Sequence, residues 1–185
     1  MYYHGPTTGG QKTRLALSKD GIRFTARPEI LGEFYWRVFR WGGYYYALAM
    51  PGFFYRSKDG LSGFEKGPVL FTEDMRHSAV KLDGDRLSVF YSNVGDCPER
   101  ILLSVVGVSP DWMEWKATEP TVVLEPEMDY EGADLPVEPS IRGWAEQRVR
   151  QLRDPAVYRE EDKTYLLYSV AGEHGIAIAE MEEEA

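Results

Sequence analysis

The sequence predicts an all-β chain built as a propeller, on three observations. The segment Arg76 to Gly95 aligns without a gap on Arg153 to Gly172, 77 positions downstream, and shares Arg, Ala, Val, Asp, Tyr, Ser and Gly at seven positions. Both copies read as a strand, a charged turn and a second strand, with a polar pair at the start of the first. The turn Ser18-Lys19-Asp20-Gly21 recurs as Ser57-Lys58-Asp59-Gly60, and this spacing of 39 residues is close to the roughly 40 to 45 of a four-stranded blade. No segment carries a 3.6-residue apolar period longer than ten residues, which leaves helix a minor part. Repeated two-strand units of this kind predict blades whose first strands surround a central channel.

Met1 to Gly5 reads as the end of a second strand, matching Phe90-Tyr91-Ser92 and Leu167-Tyr168-Ser169, so the chain is expected to begin inside a repeat. Pro6 to Gln11 reads as a loop. Thr13 to Leu17 is a short alternating strand and Ile22 to Thr25 its hairpin partner, with Gly21 in the turn where a positive φ is cheapest. Trp36 to Trp41 and Tyr44 to Met50 form a hairpin about Gly42-Gly43, and Tyr55 to Ser57 and Pro68 to Phe71 are the outer strands of that blade. Arg76 opens a blade that runs through Val123, and Arg153 opens another, with Gly175 to Met181 as its third strand. Glu182-Glu183-Glu184 closes the chain as a solvated acidic tail. The segment 126–151 breaks the spacing. It is rich in Glu, Pro, Gly and Trp without periodicity, the mark of a functional or a disordered loop, and Tyr130 and Trp144 favour order.

The chain is expected to fold as a single propeller domain over 1–185, with 43% apolar and 14% aromatic residues to fill a core. A net charge of −9 argues against nucleic acid or an anionic membrane as partner, because phosphate binding is driven by Lys and Arg; the partner is neutral or cationic. Cys97 is the only cysteine, which leaves no internal disulfide and no Cys-based metal site. Three histidines argue against a multi-His metal centre. There is no run of 18 apolar residues and no basic-then-apolar leader in the chain as given; a cytoplasmic location follows if Met1 is the true start. Dinucleotide, Walker, Gly-x-Ser-x-Gly and His-Glu-x-x-His motifs are absent, and no cofactor is expected.

The Arg153-Asp154-Pro155 start, the aromatic strand Tyr165 to Tyr168, the Ser-Lys-Asp-Gly turns and the Ala171-Gly172-Glu173 end together carry a likeness. They resemble the five-bladed β-propeller glycosidases, the arabinanase, levansucrase and invertase superfamily that includes the family 43 glycoside hydrolases. The resemblance implies a glycoside hydrolase-like propeller that acts on or binds a carbohydrate in its central channel. About three blades and part of another would be present, and about one and a half would lie upstream. Self-association through unclosed blade faces is then expected. The resemblance also implies an Asp base or nucleophile on the first blade, a second Asp in an Arg-Asp-Pro setting, and a Glu acid. Asp154 matches the second by motif, and no residue here matches the first. Hydrolysis would then need the upstream blades; the alternative is a non-catalytic carbohydrate-binding or protein-interaction propeller.

Pro155 is expected to hold Asp154 extended at the start of a strand, with its carboxylate toward the channel mouth or paired with Arg153. Arg76 and His77 occupy the equivalent places one blade earlier, and Tyr35 and Trp36 approximately those two blades earlier. A ring of Trp36, His77, Asp154 and the two arginines suits a sugar, which needs an aromatic face and directional partners for its hydroxyls. His77 is alternatively structural, or binds an ion. Glycoside hydrolysis requires two carboxyl groups, about 5 Å apart for retention and about 6.5 to 9.5 Å for inversion. Glu131 and Glu173 are the candidates to accompany Asp154, with Asp134 as a further substrate contact, against the bland reading that most of the 30 acidic residues are surface charges.

Overall fold

A computed structural model describes residues 1–182. Of the expected acidic tail, Glu183 and Glu184 lie outside the described residues. Among these there is no α-helix, and the strands form four antiparallel sheets, each a meander in chain order. The first sheet holds β1 (Tyr2–Thr7), β2 (Gly10–Ser18) and β3 (Phe24–Ala26); the second holds β4 (Arg37–Trp41), β5 (Tyr44–Ala49), β6 (Phe53–Ser57) and β7 (Glu65–Val69). The third holds β8 (Met75–Asp83), β9 (Arg86–Asn93), β10 (Ile101–Gly107) and β11 (Thr121–Leu124); the fourth holds β12 (Arg153–Glu160), β13 (Lys163–Val170) and β14 (Gly175–Met181). Short 3₁₀ turns at Trp112–Glu114 and Asp129–Glu131 complete the regular structure. No helix among the described residues is long and apolar enough to cross a membrane.

The stretch expected as a loop at Pro6 to Gln11 is instead mostly strand. Pro6 pairs with Gln11 in register, and only Thr8-Gly9 turns. β1 lies at the edge of its sheet, where the missing proline N–H costs no ladder bond.

The two Ser-Lys-Asp-Gly turns are built identically. Ser18 Oγ accepts the Asp20 and Gly21 N–H groups, while Asp20 Oδ1 accepts those of Ile22 and Arg23. Ser57 and Asp59 repeat this with Asp59, Gly60, Leu61 and Ser62. Side chains replace the ladder where the chain reverses after Ser18 and after Ser57.

The chain divides into two compact units, Met1–Glu73 with Val108–Lys116, and Asp74–Gly107 with Ala117–Ala185. In the first, Trp115 packs on Tyr46 and Phe54, with ring centroids 4.9 and 5.6 Å away. The Arg56 guanidinium lies over the rings of Tyr44 and Trp112, at 4.5 and 4.6 Å. Gly67 leaves room for the Trp112 ring, which a Cβ there would meet at 2.3 Å. In the second unit the period of two along β13 buries Thr164, Leu166, Tyr168 and Val170 on one face. That face packs with Ala79, Phe90, Ile101 and Leu152.

Candidate functional site

The second unit shows why Arg76 and Arg153 begin matching segments. Arg76 pairs with Ser92 and Arg153 with Ser169, and each ladder then slips through a bulge before resuming at Ala79 with Phe90 and Ala156 with Leu167. The bulged residues are His77 and Asp154, whose φ angles are 30° and 50°. Asp154 is therefore left-handed and not extended as the sequence suggested. Pro155 disfavours only the right-handed helical region for the residue before it, and the bulge selects what remains. Such a conformation in a residue with a Cβ costs about 1 to 3 kcal/mol and persists where its surroundings hold it.

The bulges aim these two side chains at one another. His77 Nδ1 meets Asp154 Oδ1, and the Ser169 hydroxyl donates to Asp154 Oδ2 at 3.1 Å. The His77 side chain is 14% exposed and that of Asp154 34%, so the pair is partly open to solvent, chiefly on the Asp154 side.

Beneath them lies a buried charge network. Arg153 is 1% exposed and Glu99 fully buried. Arg153 Nε is 3.1 Å from Glu99 Oε2, and Arg76 Nε is 3.6 Å from Glu99 Oε1. Ser92 donates to the same Oε1 at 2.6 Å. Burial pushes the Glu99 carboxyl above its ordinary value, against the opposite pull of Ser92 and the two guanidinium groups. Burial likewise lowers Arg76 from the usual arginine range. Arg153 also donates to Glu173 Oε1 at 2.9 Å and to the Gln151 side chain, and Arg76 Nη2 lies 3.9 Å from Glu173.

These arginines also hold the segment 126–151. Arg76 donates to the carbonyls of Ile141 and Gly143, and Arg153 to that of Gly143. Farther along, Arg150 donates to Ala133 and Pro126, and Arg148 to Asp129. Guanidinium forks do here what a strand ladder would do elsewhere. The segment walls a cavity of about 450 Å³, lined by Ile141, Trp144, Val149, Gln151 and Arg153 among others. Trp144 is 68% exposed. Asp154 does not line this cavity.

The remaining sequence candidates fall in different settings. Glu131 is buried with both oxygens engaged: Oε2 accepts the Glu127 and Met128 N–H groups, and Oε1 accepts the Tyr168 hydroxyl at 2.7 Å. Asp134 is on the surface, 3.6 Å from Arg148. Trp36 belongs to the first unit, 7% exposed, with its ring against Tyr2, Tyr55 and Phe64. The non-glycine residue with positive φ in that blade is Tyr35, at 57°. Tyr35 thus matches His77 and Asp154, and Trp36 matches Ser78 and Pro155. A slip of one residue moves a strand side chain to the opposite face.

Glu99 was missed by the sequence reading. Its partner 77 positions on is Ile176, so the repeat gave no signal for it. Ser92, matched by Ser169, was the nearer clue. Among the described residues no group of three His, Cys, Asp or Glu side chains is arranged to hold a metal ion.

Four antiparallel sheets in sequence, each a meander, define an all-β fold of the propeller type. The chain is similar over its whole length to a thermostable family-43 glycoside hydrolase, with a TM-score of 0.64 at 16% identity over 68% of that chain. An endo-1,4-beta-xylanase from Bacteroides thetaiotaomicron gives 0.63 at 14% identity, covering 97% of this chain and 62% of the other. The Bombyx mori family-32 beta-fructofuranosidase gives 0.56 at 14%, covering 90% and 39%. At such identities the likeness establishes the fold. No protein-family model matches the sequence. An uncharacterized protein of Acanthamoeba polyphaga mimivirus is 36% identical over 201 aligned positions, which take in 98% of this chain and 56% of that protein. The chain therefore spans about half the length of this relative.

Proposed function

We propose that the second unit carries a carbohydrate site of the propeller-glycosidase kind, centred on Asp154. The observation that supports it is the partly exposed His77–Asp154 pair, set in two adjoining bulges at the position where the resemblance expects a functional Asp. A carboxylate fixed by Ser169 and His77 offers the directional acceptor that a sugar hydroxyl needs. Arg76, Arg153 and Glu173 are the supporting shell.

Hydrolysis asks for a second carboxyl across the scissile bond. Glu131 is already committed to two backbone N–H groups and a tyrosine, so Glu173 is the remaining candidate of those the sequence named. Binding is therefore the leading activity of this chain, and hydrolysis the second reading.

The test is calorimetric titration of the chain with neutral xylo-, arabino-, manno- and fructo-oligosaccharides, beside the Asp154→Asn variant. Loss of a hydrogen bond to a charged group weakens affinity by about 10- to 100-fold. Wild-type affinity in Asp154→Asn would overturn the reading. Reducing ends released by wild type but not by Glu173→Gln would raise hydrolysis above binding.

A further inference from the structure

We propose that Glu99 is the positioning residue of the Asp154 site, setting the geometry of both bulges through the two arginines. This rests on the reading of Asp154 given above, but its test does not need a sugar.

The argument starts from position. Arg76 and Arg153 immediately precede His77 and Asp154, the two residues held at positive φ. Each arginine is the last residue in register before its ladder slips. A bulge can sit at several positions along a pair of strands, so something must fix it there. Both side chains are buried, at 5% and 1% exposure, and both converge on one fully buried carboxylate. The arginines are close enough to repel, and Arg153 is among the influences lowering Arg76. Glu99 and Glu173 both offset this repulsion, and of the two Glu99 is the fully buried one. Each oxygen has its own guanidinium, and Ser92 fixes the carboxylate by a 2.6 Å bond. Because Ser92 is also the strand partner of Arg76, the carboxylate is tied to the ladder at the place where the bulge begins.

The consequence reaches the surface through one peptide unit on each strand. With Arg76 and Arg153 fixed, His77 and Asp154 have their backbone directions set, and their side chains meet. Glu99 itself is inaccessible, so it acts through the arginines and not on a ligand.

The experiment is nuclear magnetic resonance of the histidine side chains in the full chain, with His77 assigned by its loss in His77→Gln. His4 and His174 serve as internal controls. Asp154→Asn gives the shift that follows from removing the negative charge of the His77 partner. In Glu99→Gln, which keeps shape but removes the negative charge, the His77 signals are expected to move at least half as far, with those of His4 and His174 unmoved. Glu99→Asp keeps the charge but withdraws it by one methylene, and it is expected to move the His77 signals in the same sense. It covers the case in which the glutamine variant fails to fold. Wild-type His77 signals in either folded variant would overturn the proposal, as would equal movement of all three histidines. Failure of both variants to fold would reduce Glu99 to a core residue and overturn it too. Oligosaccharide titration of the same samples stands apart: if Asp154→Asn leaves binding intact while the His77 shifts behave as expected, the carbohydrate reading falls and the positioning role remains.

Discussion

Glu99 gives the stability of the second unit a pH dependence. Burial raises its carboxyl above the ordinary value of 4.5, so between that value and the folded one the native chain holds a proton that the unfolded chain has released. Stability then falls as pH rises through this window, since the native state binds more protons there. Asp59 has the opposite sign. Backbone N–H groups of Leu61 and Ser62 hold its carboxyl well below the usual 3.8, so its contribution is present above that value and is lost as pH falls toward the depressed one. Urea unfolding of wild type and Glu99→Gln from about pH 4 to about pH 8 is expected to show the wild-type curve declining relative to the variant. A constant difference between them would contradict the raised carboxyl.

Turns separate buried from exposed versions of one motif. Ser18 and Ser57 make equivalent bonds, but Ser57 is 3% exposed and also donates to the Ser62 carbonyl at 2.6 Å. Ser57→Ala leaves the buried Gly60 N–H without its partner and is expected to cost about 1 to 3 kcal/mol. Ser18→Ala is expected to cost within about 0.5 kcal/mol, because water replaces the lost bonds. Equal losses in urea melts would refute the burial argument. The β8–β9 and β12–β13 hairpins offer a second comparison. Their turns place Gly84 and Glu161 at matching positions with φ of 57° and 54°. Glycine accepts this conformation without a Cβ clash, so Glu161→Gly is expected to stabilise the chain by up to about 1 kcal/mol, read as a raised unfolding midpoint.

At the scale of the whole molecule, charge governs encounter. With 30 acidic against 21 basic side chains, the field repels polyanions. Fluorescence anisotropy with a labelled DNA duplex at low salt is expected to show no binding, where a salt-sensitive complex would reveal a basic patch that the net charge conceals.

The all-β class, the order of strands in each blade, the Ser-Asp turns and the matching places of Arg76 with Arg153 and of His77 with Asp154 were legible in the sequence. They are local patterns repeated at fixed spacing, and repetition exposes what a single copy hides. Tertiary structure decided the rest. Tyr35 took the place expected for Trp36, because which residue adopts a positive φ at the strand start is set on folding and leaves no mark in composition. Glu131 became a buried cap because its partners, Tyr168 and the backbone at residues 127 and 128, come together only on folding. Glu99 emerged as the hub because a carboxylate's role depends on what surrounds it once water is gone, and its partners at Arg76 and Arg153 lie 23 and 54 positions away in the chain.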